Sequence, residues 1–222
     1  MKRYLIIFGT GSLARLAHHY ATYEMGLQVL GFVVDPGRRD TDNYCGLPVF
    51  DWEACTEQHP PSVAGMYVAV GYREMRQRQI LFDRAKSAGY TLQSIVSTSS
   101  YVAKTVQMGE NCFIMPGTVI EPGVFLGVNN VVWSNTTICH DTMIGSHNFF
   151  ASNVTVGGEV SVGDRCFFGF TSTVVHQCCV GDDVLLAAQS LLLGDGEASG
   201  CYLGVPAKRV GNIADQAGVC VK

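Results

Sequence analysis

Charge is scarce in this 222-residue chain: Asp, Glu, Lys and Arg together make up 15%, and the formal net charge is −4. With a pI near 5.8 there is no basic surplus to hold a nucleic-acid backbone or an anionic membrane surface. No apolar run reaches the roughly 18–20 residues of a membrane-spanning helix. Met1-Lys2-Arg3 leads into Tyr4-Leu5-Ile6-Ile7-Phe8, but that run stops at Gly9, too short for the core of a secretory signal, and no small-residue cleavage site follows. The expectation is a cytosolic protein that binds neither nucleic acid nor membrane. Paired-cysteine spacing is also missing. Nine cysteines with no CxxC pair, and with Cys178 and Cys179 adjacent, fit neither a disulfide framework nor a zinc site. Small buried thiols are expected instead. What the chain has in excess is Gly, 25 residues or about 11% against a usual ~7%, in company with Val and Ile. High Gly with little charge suggests repetitive β structure.

The first third alternates strand and helix patterns. Tyr4–Phe8 is a short apolar run ending in Gly9-Thr10-Gly11-Ser12-Leu13-Ala14, and a helical stretch follows to about Met25. Gln28–Val34 reads as a second strand closed by the turn Asp35-Pro36-Gly37, and Met66–Val70 as a third. Arg73–Ser87 reads as an amphipathic helix and Thr91–Val96 as a fourth strand. Such alternation predicts a small parallel sheet with crossover helices over residues 1–96. The GxGxxA turn is a place where backbone approaches a phosphate at a helix N-terminus, or simply a tight strand–helix turn that needs Gly. About 95 residues are too few for both halves of a dinucleotide fold, which argues against a nicotinamide role.

From residue 102 every sixth position is apolar: Val102, Met108, Ile114, Ile120, Leu126, Val132, Ile138, Ile144, Phe150, Val156, Val162, Phe168, Val174, Val180 and Leu186. At 47% apolar composition, fifteen consecutive hits arise by chance on the order of once in 10⁵. Gly follows directly at 109, 127, 145, 157, 163, 169 and 181, and small residues such as Cys112, Thr118, Thr136, Cys166 and Ser172 recur four places after the apolar site. Neither the helical period of 3.6 nor the strand period of 2 gives a strict six. A three-faced solenoid does, with one large residue pointing inward per face, about eighteen residues per coil and coils ~4.8 Å apart. Residues 97–194 are assigned to this solenoid and 195–222 to a C-terminal tail.

The repeat resembles the hexapeptide acyltransferases. With its preceding α/β unit the chain is similar, from about Tyr4 to Val210, to the family of sialic-acid O-acetyltransferase and the bacillosamine and perosamine N-acetyltransferases. The resemblance rests on the GTGSLA turn, the pair His140-Asp141, Gly157-Gly158, and Gly204-Val205-Pro206-Ala207-Lys208-Arg209. It implies a Rossmann-like βαβ domain followed by a left-handed parallel β-helix. It also implies transfer of an acetyl group from acetyl-CoA, trimers, and active sites between neighbouring β-helices. The acceptor implied is the amino group of a nucleotide-linked sugar; O-acetylation of a sugar or small alcohol would use the same machinery.

Acyl transfer needs a base for the acceptor proton, a donor for the developing oxyanion and a hold on the pantetheine arm. Histidine suits the first at neutral pH, and His140, two places past the inward Ile138, should project from the coil. The resemblance makes His140 the base, Asp141 its carboxylate support and the Gly158 N–H the contact for the thioester carbonyl. It assigns Gly157, Gly158, Ala187, Ala188, Gly204, Pro206, Ala207, Lys208 and Arg209 to acyl-CoA. Gly9, Thr10, Gly11, Ser12, Leu13, Asp35 and Trp133 are assigned to the acceptor. The acceptor side departs from the pattern. Many relatives carry His where Leu13 stands and often Asn where Trp133 stands, and some carry His where Phe149 stands. His176 shares the repeat phase of His140 two coils on, about 10 Å away, which resembles the intersubunit metal sites of γ-class carbonic anhydrases. His147 lies in another phase and reads as a surface residue, and no third His follows His176, so no metal site is expected.

Overall fold

The computed structural model describes residues 2–71, 73, 75–213 and 218–221. Residue 74 of the expected third helix, and residues 214–217 and 222 of the expected tail, lie outside the described residues. The N-terminal domain runs β1 (Tyr4–Phe8), α1 (Ser12–His19), β2 (Gln28–Val34), β3 (Asn43–Tyr44), β4 (Leu47–Asp51), α2 (Trp52–Gln58), β5 (Gly65–Val68) and α3 (Met75–Ser87). Helix α1 continues as a wider π-type turn over Tyr20–Glu24. The sheet order is β3-β4-β2-β1-β5, parallel throughout except for the β3–β4 hairpin.

Two differences from the sequence reading have physical causes. The β3–β4 hairpin and α2 occupy a stretch in which Gly, Pro and Asp obscure any periodicity. The expected fourth strand over Thr91–Val96 does not join the sheet. Leu92 makes only a single bridge to Met66, while Ile95–Val96 pairs with Phe113–Ile114 and forms the first rung of the solenoid. The apolar run there serves two domains in turn, and hydropathy alone does not mark the handover.

From Ile95 to Leu192 the chain is a left-handed parallel β-helix of two-residue strands, stacked in three parallel sheets. Partners such as Val119 and Thr137, or Ile120 and Ile138, sit one coil apart. Of the hexad sites, Ile114 through Leu186 are buried and Val102 and Met108 are half-buried at the N-terminal end. Each buried aliphatic side chain contributes roughly 1.5–3 kcal/mol, and Phe150 stacks on Phe168 with centroids 4.6 Å apart.

The corners explain the rest of the repeat. From Met108 onward, the backbone three residues past each inward site is left-handed, at Asn111, Gly117, Gly123, Asn129, Asn135, Asp141, His147 and on to Gln189. This is why Asn, Asp and Gly gather there. The small polar residue that follows reaches up one coil: Thr136 Oγ1 donates to Ala151 O at 3.0 Å and Asn148 Nδ2 to Gly163 O at 3.0 Å. The glycines after the inward sites are imposed by the stack. A Cβ at Gly127 would lie 2.6 Å from Gly145 O, and one at Gly157 would lie 2.5 Å from His176 N.

The N-terminal domain packs on the outside of one solenoid face, where Phe113, Val131, Phe149 and Phe167 share a core with Leu5, Ile7 and Tyr67. Among the described residues no helix is long and apolar enough to cross a membrane.

Candidate active site

His140 sits on an exposed corner, its side chain 55% accessible. Neighbouring residues rarely face each other, but the left-handed turn at Asp141 (φ 56°) folds the carboxylate back. Asp141 Oδ2 comes to 3.0 Å from His140 Nδ1. A proton on Nδ1 is held by the carboxylate and leaves Nε2 with the free lone pair. The hydrogen bond to Asp141, reinforced by Glu121 and Glu159, raises the His140 pKa above its ordinary 6.5. The His140 backbone N–H donates to Glu121 Oε2 at 2.8 Å and its carbonyl accepts from the Glu159 N–H at 3.0 Å, so the corner is fixed on both sides.

One coil further on, Gly158 lies buried directly beside Nε2: a Cβ there would be 2.7 Å from Nε2 and 2.8 Å from Cε1. Only Gly fits. Its N–H donates to no partner among the described residues, while the flanking Gly157 and Glu159 N–H groups bond to Val174 O and His140 O. Base and donor thus arise from one corner column, and the exposed His176 continues it.

The other expected residues fall into three places. Gly9, Thr10 and Asp35 line a cleft of about 390 Å³ between the ends of β1 and β2 and helix α3, with Arg38, Gln77 and Leu81. Gly9 is required by the backbone, at φ 117° with Ala69 O 3.1 Å from where a Cβ would be. Gly11 is not, since a Cβ there meets nothing within 4 Å. Asp35 pairs with Arg84, whose guanidinium stacks 4.0 Å over the Trp52 ring. Arg38, Gln77 and Arg84 carried no signal in the sequence; tertiary packing alone brings them here. Ser12 is exposed at the start of α1, whereas Leu13 is 6% exposed and packs in the core with Ala14 and Ala17.

Trp133, Ala187 and Ala188 come together elsewhere, in an apolar cleft of about 350 Å³ walled by Phe149, Phe167, Phe170, Leu185 and Val221. Gly204 (φ 106°), Pro206, Ala207, Lys208 and Arg209 form the turn and return strand of a hairpin, Gly200–Gly204 with Ala207–Asn212, that extends one solenoid sheet. Lys208 is exposed, and Arg209 is paired with Glu197.

His147 differs from its sequence reading. It is 5% exposed, not a surface residue, because its corner lies under α3. Its ring packs edge-on against Phe82 and its Nδ1 accepts from Asn129 Nδ2 at 2.9 Å. Among the described residues no three His, Cys, Asp or Glu side chains come together in a way that could hold a metal ion.

No protein-family model and no curated protein sequence matches the chain. Solved structures do. Perosamine N-acetyltransferase from Caulobacter crescentus, in complex with CoA and GDP-perosamine, is 25% identical over 93% of this chain and 97% of its own, with a TM-score of 0.84. The acetyltransferase domain of PglB from Neisseria gonorrhoeae is 20% identical over 94% of this chain and 100% of its own, TM-score 0.84. WeeI from Acinetobacter baumannii is 17% identical over 93% and 99%, TM-score 0.83. The fold and domain order are therefore those of the hexapeptide-repeat acetyltransferases. The likeness to perosamine N-acetyltransferase and to the PglB acetyltransferase domain runs over both the α/β domain and the β-helix of this chain.

Proposed function

We propose that this enzyme transfers an acetyl group from acetyl-CoA to the amino group of a nucleotide-linked amino sugar, by direct attack with His140 as general base. One observation carries the reading: an exposed imidazole whose Nδ1 is held by Asp141 and whose Nε2 lies against a buried, side-chain-free Gly158. The neighbouring perosamine enzyme, whose structure holds CoA and GDP-perosamine, supports the choice of donor and acceptor class.

In this reading His140 Nε2 takes the amine proton as the C–N bond forms and delivers it to the departing CoA sulfur, which leaves as the thiol. The Gly158 N–H faces the negative charge that develops on the carbonyl oxygen. Gly157, Ala187 and Ala188, free of bulk, let the pantetheine arm run close to the backbone, and the hairpin carrying Gly204, Pro206, Ala207, Lys208 and Arg209 holds the rest of CoA. The cleft with Gly9, Thr10 and Asp35, beside Gly11 and Ser12, takes the nucleotide end of the acceptor. The base stands at a solenoid corner while the nucleotide cleft lies in the N-terminal domain, and we read the site as shared between copies of a trimer; light scattering reads that state directly.

The test is thiol release from acetyl-CoA against a panel of nucleotide-linked amino sugars. His140→Ala should lower kcat by about 10²–10⁴ with the acceptor KM little changed. Gly158→Ala, which displaces the imidazole, should lower it at least ~10-fold while the fold persists. Near-normal turnover by His140→Ala would remove the general-base assignment.

A further inference from the structure

The carboxylate in the cleft at the end of β2 does not stand there as a bare charge. Asp35 directly follows Val34, the last residue of β2, and lines the cleft of about 390 Å³ together with Arg38 and Gln77. It is held by Arg84, whose guanidinium donates to Asp35 Oδ1. That guanidinium is itself clamped, 4.0 Å over the Trp52 ring and 5.6 Å over the Phe8 ring, the two rings lying 5.4 Å apart. Gln77, Leu81 and Arg84 fall at i, i+4 and i+7 on α3, so one helix face supplies both a wall of the cleft and the clamp. With Asp35 neutralised, the charge left among the lining residues is Arg38. Its backbone N–H is tied to Asp35 O at 3.0 Å, and its side chain has no hydrogen-bond or ion-pair partner among the described residues.

We propose that Arg84 is a positioning residue for nucleotide recognition. By holding Oδ1 it fixes Asp35 as a charge-balanced acceptor, so that Oδ2 takes one uncharged donor of the nucleoside while Arg38 takes the phosphate. Without its cation the carboxylate would be hydrated and free to turn, and a ligand would have to strip it of water. A planar guanidinium stacked on aromatic rings loses little freedom when it pairs, which suits it to the task. An acid at the end of the second strand is placed for a ribose hydroxyl; a base N–H offers the same chemistry, and a 2′-deoxynucleotide tells the two apart. The inference rests on the reading of this cleft as the nucleotide end of the acceptor site. It adds that the clamp behind Asp35 sets the affinity.

Binding tests this on the intact protein without turnover. UDP, GDP, CDP, ADP and inorganic pyrophosphate are titrated by calorimetry, and the tightest nucleotide is carried forward with its 2′-deoxy form. Arg84→Met, which keeps a long side chain over Trp52 and removes the cation, should weaken that nucleotide at least about 10-fold and pyrophosphate by a smaller factor. Arg84→Lys, which keeps the cation, should lose less than Arg84→Met. Adding Asp35→Asn to Arg84→Met should recover most of the loss, since an amide oxygen accepts without needing a cation; a merely structural Arg84 would show no such recovery. Arg38→Gln should weaken nucleotide and pyrophosphate alike. The 2′-deoxy form should bind more weakly if the donor is the ribose 2′-hydroxyl and equally well if it is the base, with the same response to Arg84→Met in both cases. Parent-like nucleotide binding by Arg84→Met, equal losses for nucleotide and pyrophosphate, or no recovery in the double variant would overturn the proposal. Failure of all four nucleotides to bind would overturn it together with the nucleotide part of the acceptor reading, whereas nucleotide binding indifferent to Arg84→Met would remove the clamp alone.

Discussion

At the scale of single residues, the chemistry of the candidate site depends on a backbone angle. Asp141 faces its own neighbour only because the corner is left-handed, and the same turn places Nε2 over Gly158. The six-residue spacing was enough to project His140 outward, but nothing in it says that the following carboxylate folds back, because side-chain direction at a corner is set by φ and not by period. The Asp141 carboxylate raises the His140 pKa, with Glu121 and Glu159 adding to it. Since the base works unprotonated, the acid limb of kcat/KM should lie above pH 6.5. Replacing Asp141 with Asn removes the leading cause, so the limb should move to lower pH, and the plateau should fall roughly 10–100-fold as a weaker, less well-oriented base takes over. A pH–rate profile on both proteins decides it; coincident limbs would separate Asp141 from the base. Leu13 marks the other limit of residue-level reading. A motif places it in a ligand turn, yet its side chain is spent on the core beneath α1.

At the scale of elements, the solenoid was legible almost residue by residue because one physical rule repeats: large inward, bare next to it, left-handed at the corner. The inward sites and the glycines were visible as period six; the hairpin and α2 of the first domain were not, because two- and seven-residue elements complete no pattern. The glycine rule can be tested away from any ligand. An alanine at Gly127 would put its Cβ 2.6 Å from the Gly145 carbonyl oxygen, and neither backbone can yield without parting two coils. It should destabilise by about 2–4 kcal/mol, a fall in Tm of roughly 5–15 °C for a chain of this length. Gly194→Ala, with open space around the new methyl, should shift Tm by no more than about 2 °C. Thermal unfolding of the pair distinguishes packing from generic glycine entropy, since equal losses would mean that the close approach is tolerated.

At the scale of the whole molecule, the two domains are joined by a polar seam that hydropathy does not reveal. Arg78, on α3 and 1% exposed, donates to Asn129 O at 2.7 Å, His147 O at 2.9 Å and Asn148 O at 3.2 Å. Three carbonyls of successive solenoid corners thus receive one guanidinium, whose own pKa falls to about 10 under burial. His147 sits in the same seam, between Phe82 and Asn129, and burial together with Arg78 and Arg165 lowers its pKa to about 4. The unfolded chain keeps an ordinary His near 6.5, so between those values it binds more protons than the folded one. Stability should therefore be at its full value above pH 6.5 and decline as pH falls towards 4. The share due to this one side chain should reach about 2–3 kcal/mol at pH 4.5. Asn is at home at this corner, as Asn111 and Asn129 of the same column show with φ of 58° and 57°. His147→Asn should accordingly fold, and its urea midpoint should fall less between pH 7.5 and pH 4.5 than that of the parent, the carboxylates being common to both. Equal losses in the two proteins would mean that the seam admits a proton at His147 without opening; a smaller loss in the variant would make this buried histidine the group through which acid loosens one domain from the other.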